Sequence, residues 1–179
     1  MFIISFATPK YEVEAYKLLD DLRSHKLPHE VHFIQGFGSW QEANHYKPAF
    51  IKSMIEKHNC AVIWLDADTE IREFPRLFDE LKCDVAFNYF NNVQLCGGVL
   101  FFNNTPRARF ILDEWDAENK TNPDKTDQEN LQRVVERNPD LEIVRLPREY
   151  CTFDLCEDQS NPVLWSRQAS RRLKDTVTQ

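Results

Sequence analysis

Two short runs in this 179-residue chain, MFIISFA at 1–7 and AVIWL at 61–65, are apolar at nearly every position. A run too short for a buried helix, yet apolar on both of its alternating faces, reads as a strand covered from both sides. Segments of helical period separate such strands. Thr8-Pro9 supplies an N-cap and an N1 proline, and Val13, Tyr16, Leu19 and Leu22 then recur at helical spacing to about His25. Val31 to Gln35 reads as a second strand, ended by Gly36-Phe37-Gly38. Pro48 opens another helix, with Phe50, Ile51, Met54 and Ile55 on one face. A short helix is expected around Pro75 to Leu81, followed by strands near 84–88 and 98–102. Thr105-Pro106 repeats the cap-and-proline signal for a helix to about Glu118, on which Trp115 reads as a core residue. Thr126 caps one more, with Asp127 and Glu129 in the first turn, where the helix dipole favours carboxylates. Glu142 to Leu146 is the last clear strand, and Trp165 to Lys174 is expected to be helical. Strands alternating with helices predict one α/β domain over 1–179, with a mostly parallel central sheet and helices on both faces.

Composition removes several function classes. A chain of this length should bury roughly 70% of its unfolded surface and needs no disulfides for a core. The 29 acidic against 22 basic residues give a net charge of -7, the opposite of the basic face of a nucleic-acid binder. An aromatic content of 12% does not suit disorder. Only four glycines occur, so neither GxGxxG nor GxxxxGK[ST] can be written, and a bound phosphate needs another cradle. The five cysteines, Cys60, Cys83, Cys96, Cys151 and Cys156, contain no CxxC pair and read as reduced thiols. No stretch approaches 18 apolar residues, and the first residues lack the pattern of a secretory signal, so a cytoplasmic protein is expected.

The stretch Ile63-Trp64-Leu65-Asp66-Ala67-Asp68-Thr69-Glu70 carries the most chemistry. In an extended segment, residues i and i+2 project to one side, which would bring Asp66 and Asp68 together at the carboxyl end of a strand. Open α/β sheets bind ligands there. Two hard oxygen ligands suit Mg2+ or Mn2+, with water and substrate phosphates completing the shell. Three other readings exist. The acids can simply solvate a strand end. An EF-hand calcium loop requires glycine where Ile71 stands. A haloacid-dehalogenase-type phosphatase begins with DxDx[TV] on its first strand, whereas here the fifth position is Glu70 and the strand is the third.

Around this pair lie Phe6-Ala7-Thr8-Pro9-Lys10-Tyr11, Tyr46-Lys47-Pro48-Ala49-Phe50-Ile51 and Cys96-Gly97-Gly98 running on to Asn103-Asn104-Thr105-Pro106. Thr126-Asp127-Gln128, Leu146-Pro147 and Gln168-Ala169-Ser170-Arg171-Arg172-Leu173-Lys174 follow. In this order, over nearly the whole chain, the sequence resembles GT-A-type glycosyltransferases, which move a sugar from a nucleotide diphosphate donor. The resemblance implies a single GT-A-like (Rossmann-like) domain and metal-dependent transfer, with UDP as the expected nucleotide. Asp66 and Asp68 would hold Mn2+ or Mg2+, so that diphosphate is bound without a glycine-rich loop. Ala7, Thr8 and Tyr11 match the loop that holds base and ribose; their local alternative is a helix cap and packing. Lys47, Asp66, Ala67, Gly97, Gly98 and Gln128 match donor-facing positions; read locally, Lys47 is a solvated lysine near a helix start and Gly97-Gly98 a turn or strand start. Asp127 is implied as a general base or as a binder of sugar hydroxyls, its local alternative being dipole stabilisation.

In the family that the sequence resembles, many members carry a histidine ahead of the Gln-Ala-Ser-Arg element as a further metal ligand. Here that stretch reads Val163-Leu164-Trp165-Ser166-Arg167-Gln168, and all five histidines lie upstream. Arg167, Arg171 and Lys174 are the cations available to diphosphate instead, or a solvated basic face. The acceptor, whether glycan, lipid or protein, is not specified. The short carboxyl-terminal half implies a minimal acceptor side, or one completed by a partner domain or oligomer. A phosphatase and a nucleotide-sugar binder without turnover remain the alternatives.

Overall fold

The computed structural model describes residues 1–154 and 161–173. Strand β1 (Ile3–Ala7) leads through a 3-10 turn at Pro9–Tyr11 into helix α1 (Glu12–Ser24), then β2 (His29–Phe33). Helices α2 (Trp40–His45) and α3 (Lys47–His58) precede β3 (Val62–Leu65) and β4 (Thr69–Ile71). After β5 (Val85–Phe87), a small hairpin of β6 (Tyr89–Phe90) and β7 (Gln94–Leu95) leads to β8 (Val99–Phe102). Helices α4 (Pro106–Thr121) and α5 (Asp127–Glu136), strands β9 (Ile143–Arg145) and β10 (Leu164–Ser166), and helix α6 (Ala169–Leu173) complete the order.

The central sheet runs β2-β1-β3-β8-β5-β9. Its β1/β2, β1/β3 and β5/β9 pairs are parallel, and β8 alone runs against its neighbours β3 and β5. The two-residue period of the strands sorts their side chains into two layers. Ile4, Phe6, Val62, Trp64, Leu100 and Phe102 pack against α3, α4 and α5. Ile3, Ile63, Leu65, Val99 and Phe101 pack on the other side with Leu18 and Leu22 of α1 and with Leu164 of β10. That second face is therefore covered by one long helix and a β4–β10 ribbon, a thinner cover than the expected pair of helical layers.

Several expected boundaries move. Strand β2 starts at His29 because its register is set by β1, from Ile3 opposite His29 to Ala7 opposite Phe33. The Thr8 hydroxyl makes no capping bond, and α1 begins only at Glu12, after the 3-10 turn. The expected helix from Trp165 is a strand at first: Leu164, Trp165 and Ser166 pair antiparallel with Ile71, Glu70 and Thr69. The backbone of β4 leaves the main sheet and needs partners, and β10 supplies them. The helix reduces to α6, and Lys174 and Cys156 lie outside the described residues. No helix among the described residues is long and apolar enough to cross a membrane.

Candidate functional site

Asp66 follows directly on β3, and its backbone N–H donates to Gly98 O at 2.8 Å, extending the β3–β8 ladder by one bond. The chain then turns, with Thr69 N–H donating to Asp66 O at 2.9 Å. Asp66 and Asp68 thus meet across a turn rather than along a pleat, the geometry anticipated for an extended segment. Glu70, the third acid, enters β4 and pairs with Arg72 and Arg167 instead.

The two aspartates have different surroundings. Asp66 Oδ1 accepts from the Trp64 indole N–H at 2.8 Å and lies 3.3 Å from Lys47 Nζ. Asp68 is 7% exposed, and its Oδ2 accepts from the backbone N–H of Ala169 at 2.7 Å, at the start of α6. Burial, followed by the neighbouring charge of Asp66, pushes the Asp68 carboxyl up to about 6, against the opposing bond from Ala169. A buried carboxylate beside another is the environment that a divalent cation relieves, so the pair fits Mn2+ or Mg2+. Among the described residues no third histidine, cysteine or acid joins them. Such a cation would take its remaining ligands from water and diphosphate.

Beneath the pair sits Lys47, 2% exposed at the start of α3. Its Nζ lies 2.8 Å from Asp127 Oδ2 and donates to Gly97 O at 3.2 Å, with the Trp64 ring 5.1 Å away. Burial alone would lower the Lys47 pKa, but the carboxylates of Asp127 and Asp66 hold it above its ordinary range. Asp127, 5% exposed, opens α5 under the Thr126 cap, and its carbonyl accepts from Trp115 Nε1 at 2.7 Å. One ammonium therefore ties the acidic turn, the glycine pair and the Asp127-Gln128 element together. Gly97 and Gly98 are explained by this packing. A Cβ on Gly98 would come within 3.2 Å of Asp66 Oδ2, and one on Gly97 within 3.1 Å of Gln128 Cβ.

A cavity of about 550 Å³ opens on the other side of Asp66 and Asp68. Ala7, Thr8, Tyr11, Ala67 and both aspartates line it. Burial and then the Asp68 charge push the Tyr11 hydroxyl up to about 12, with a hydrogen bond from Trp40 opposing. Phe37, Trp40, Ser170 and Leu173 also line it and were not anticipated. Trp40 had a legible signal: Ser39 followed three residues on by Glu42 marks a helix start. The Ser39 hydroxyl accepts from Glu42 N–H at 3.1 Å, and the Glu42 carboxylate reaches back to Gly38 N–H at 2.7 Å.

The expected cations of the carboxyl-terminal segment do not act together. Arg167 points away from the cavity, to Asp21 Oδ2 at 3.3 Å and to Thr69 O at 3.1 Å, where it joins α1 to β4. Arg172 pairs with Glu14 at 3.3 Å. Arg171 stands exposed on α6, next to the cavity-lining Ser170.

The sequence matches no protein-family model and no curated protein. The fold does have counterparts among solved structures. It matches a glycosyltransferase involved in the glycosylation of the major capsid of PBCV-1, with a TM-score of 0.77 and 14% identity over 97% of this chain and 95% of that one. It matches the galactosyltransferase LgtC, solved in complex with donor and acceptor sugar analogs, with a TM-score of 0.59 and 11% identity, covering 93% of this chain and 86% of LgtC. The glycosyltransferase GlyE of Streptococcus pneumoniae TIGR4 gives a TM-score of 0.57 at 12% identity, covering 92% of this chain and 54% of the longer GlyE. The fold is that of GT-A-type glycosyltransferases. Nothing in these likenesses or in the geometry supports the phosphatase alternative.

Proposed function

We propose that this chain transfers a glycosyl group from a UDP-sugar to an acceptor hydroxyl, with Mn2+ or Mg2+ held by Asp66 and Asp68. The observation that carries this reading is the placement of both carboxylates in the wall of one large cavity that also presents aromatic rings, among them Tyr11, Phe37 and Trp40, and polar groups such as Thr8, Lys10 and Ser170. A planar base suits Tyr11, Trp40 and Phe37, and a diphosphate suits the acidic turn once a cation is present. The bound cation would neutralise charge on the departing nucleoside diphosphate. The protein's own groups do the positioning. Lys47 fixes Asp66 and Asp127 relative to one another, Ala169 N–H orients Asp68, and the absent side chains of Gly98 and Gly97 leave room for Asp66 and for the Asp127-Gln128 pair. Because Asp127 Oδ2 is occupied by the Lys47 ammonium, Asp127 is better suited to holding a hydroxyl of the donor sugar than to taking up a proton.

Thermal-shift titration tests the reading. UDP with Mn2+ should raise the melting temperature of the wild type, UDP without metal should do so less, and Asp68→Asn should lose the metal-dependent part. Absence of stabilisation by any nucleotide would overturn the proposal. The lack of a third metal-ligating side chain among the described residues also fits a binder without turnover. Metal-dependent release of UDP from a UDP-sugar separates the two, since only an enzyme produces it.

A further inference from the structure

The cavities on either side of Asp66 form a series with shared walls. Asp66 lines both the large cavity described above and a narrow one bounded by Gly98, Thr152 and Trp165. The narrow one shares Cys151 and Phe153 with a second large cavity, of about 430 Å³, between the β6–β7 hairpin and the segment after β9. Nothing in the proposed donor site uses this second cavity, yet the narrow one links it to the same aspartate.

Its walls have a definite chemistry. Three aromatic rings line it, those of Tyr89, Phe90 and Phe153, with Phe90 and Phe153 centred 5.2 Å apart. Asn91 and Asn92 form the hairpin tip at positive φ (49° and 60°), locked by a bond from Val93 N–H to Phe90 O at 3.0 Å. The charged residues lining it, among those described, are Arg145 and Arg148. This is a basic cavity in a chain of net charge -7. Arg145 is held in place: Nη2 donates to Asn92 Oδ1 and to Tyr89 O at 3.4 Å, and its guanidinium lies 5.7 Å from the Tyr89 ring centre. These bonds use one nitrogen of the fork. Arg148 is exposed.

Aromatic faces and side-chain amides suit a saccharide ring and its hydroxyls. Two guanidinium groups bring only donors and two positive charges, which neutral hydroxyls cannot balance. A carboxylate or phosphate oxygen pair can do so, in the forked geometry arginine favours. We infer that this cavity is the acceptor subsite and takes a saccharide bearing an anionic group, its charge set against Arg145 and Arg148 and its ring against Tyr89 and Phe90. As an acceptor subsite it rests on the glycosyl-transfer reading above; as an anionic-saccharide site it stands on the cavity itself.

Calorimetric titration with methyl glucuronide, glucose 6-phosphate, methyl glucoside and inorganic phosphate, alongside UDP with Mn2+, tests it. At least one of the two anionic sugars should bind about tenfold more tightly than methyl glucoside. Which one binds distinguishes a carboxylate-bearing from a phosphate-bearing acceptor. That preference should weaken with rising ionic strength and be lost in Arg145→Met and in Arg148→Met, with UDP affinity unchanged in both. Arg148→Met alters an exposed side chain and keeps the test valid if Arg145→Met fails to fold. Equal binding of the three sugars, a preference that survives both substitutions, or inorganic phosphate binding as well as the preferred anionic sugar overturns the inference. If UDP binds and no anionic sugar is preferred, only this inference falls. If an anionic sugar is preferred and UDP does not bind, the glycosyl-transfer reading falls and the cavity keeps its ligand class.

Discussion

Lys47 has the largest consequence for a single side chain in this protein. Its ammonium is buried between Asp127 and Asp66, so a neutral replacement leaves two carboxylates without their counter-charge. Removing one partner of a buried ion pair typically costs about 3–5 kcal/mol. Lys47→Met should therefore lower the stability measured by urea unfolding by that order; a loss below about 1 kcal/mol would show that the pairing contributes little. Gly98→Ala tests the opposite limit, a change at the site with little effect on the core. Its methyl would press on Asp66 Oδ2 from 3.2 Å, so metal-dependent UDP affinity should fall by about 10- to 100-fold while the melting temperature changes little. An unaltered affinity would show that Asp66 has room to move. Asp66 and Asp68 were legible from their spacing after an apolar strand. That Lys47 faces Asp127 was not, because nothing local to positions 47 or 127 encodes a contact between residues so far apart in the chain.

At the scale of elements, helix α2 shows how a short segment is placed. It spans six residues, Trp40–His45, too few to be stable by itself. It is held at its start by the Ser39 cap and from outside by Asn119 Nδ2, which donates to His45 O at 3.1 Å, and by Gln41, which donates to Lys125 O at 3.0 Å. Ser39→Ala should cost about 1 kcal/mol. The loss should appear as faster hydrogen exchange over 40–45 and as weaker UDP binding, because Trp40 lines the cavity. Exchange unchanged over those residues would show that the outside bonds suffice. Helices α4 and α5 were readable to within a few residues, since Thr105 and Thr126 cap them through Ala108 and Glu129 N–H. Strands β4 and β10 were not readable. Each has three residues, and their pairing depends on segments that no local period connects.

For the molecule as a whole, Glu30 fastens the edge of the sheet to the helices. From β2 its carboxylate reaches Lys57 Nζ at 2.6 Å and His58 Nε2 at 2.8 Å on α3, and it also pairs with His32. The Lys57 bond first, with help from His32 and His58 against some burial, holds the Glu30 carboxyl down at about 2. A carboxyl lowered on folding adds stability above its ordinary value near 4.5, and that stability is lost as pH falls from there toward 2. Glu30→Gln should therefore be less stable than the wild type at neutral pH, and the difference should shrink over that acid window; a difference independent of pH would assign the effect to packing. The alternation of apolar strands such as β1 and β3 with amphipathic helices, and the acid pair after the third strand, were determined by the sequence alone. Those signals are local, because burial on both faces and a strand-end turn are written in consecutive residues. Only the tertiary structure decided which face received the β4–β10 ribbon, that Lys47 lies beneath Asp66 and Asp127, and that Arg145 and Arg148 line a cavity beyond Asp66. Those features depend on strand order and on charges brought together from distant parts of the chain, where the energy of a contact exists only after the chain has folded.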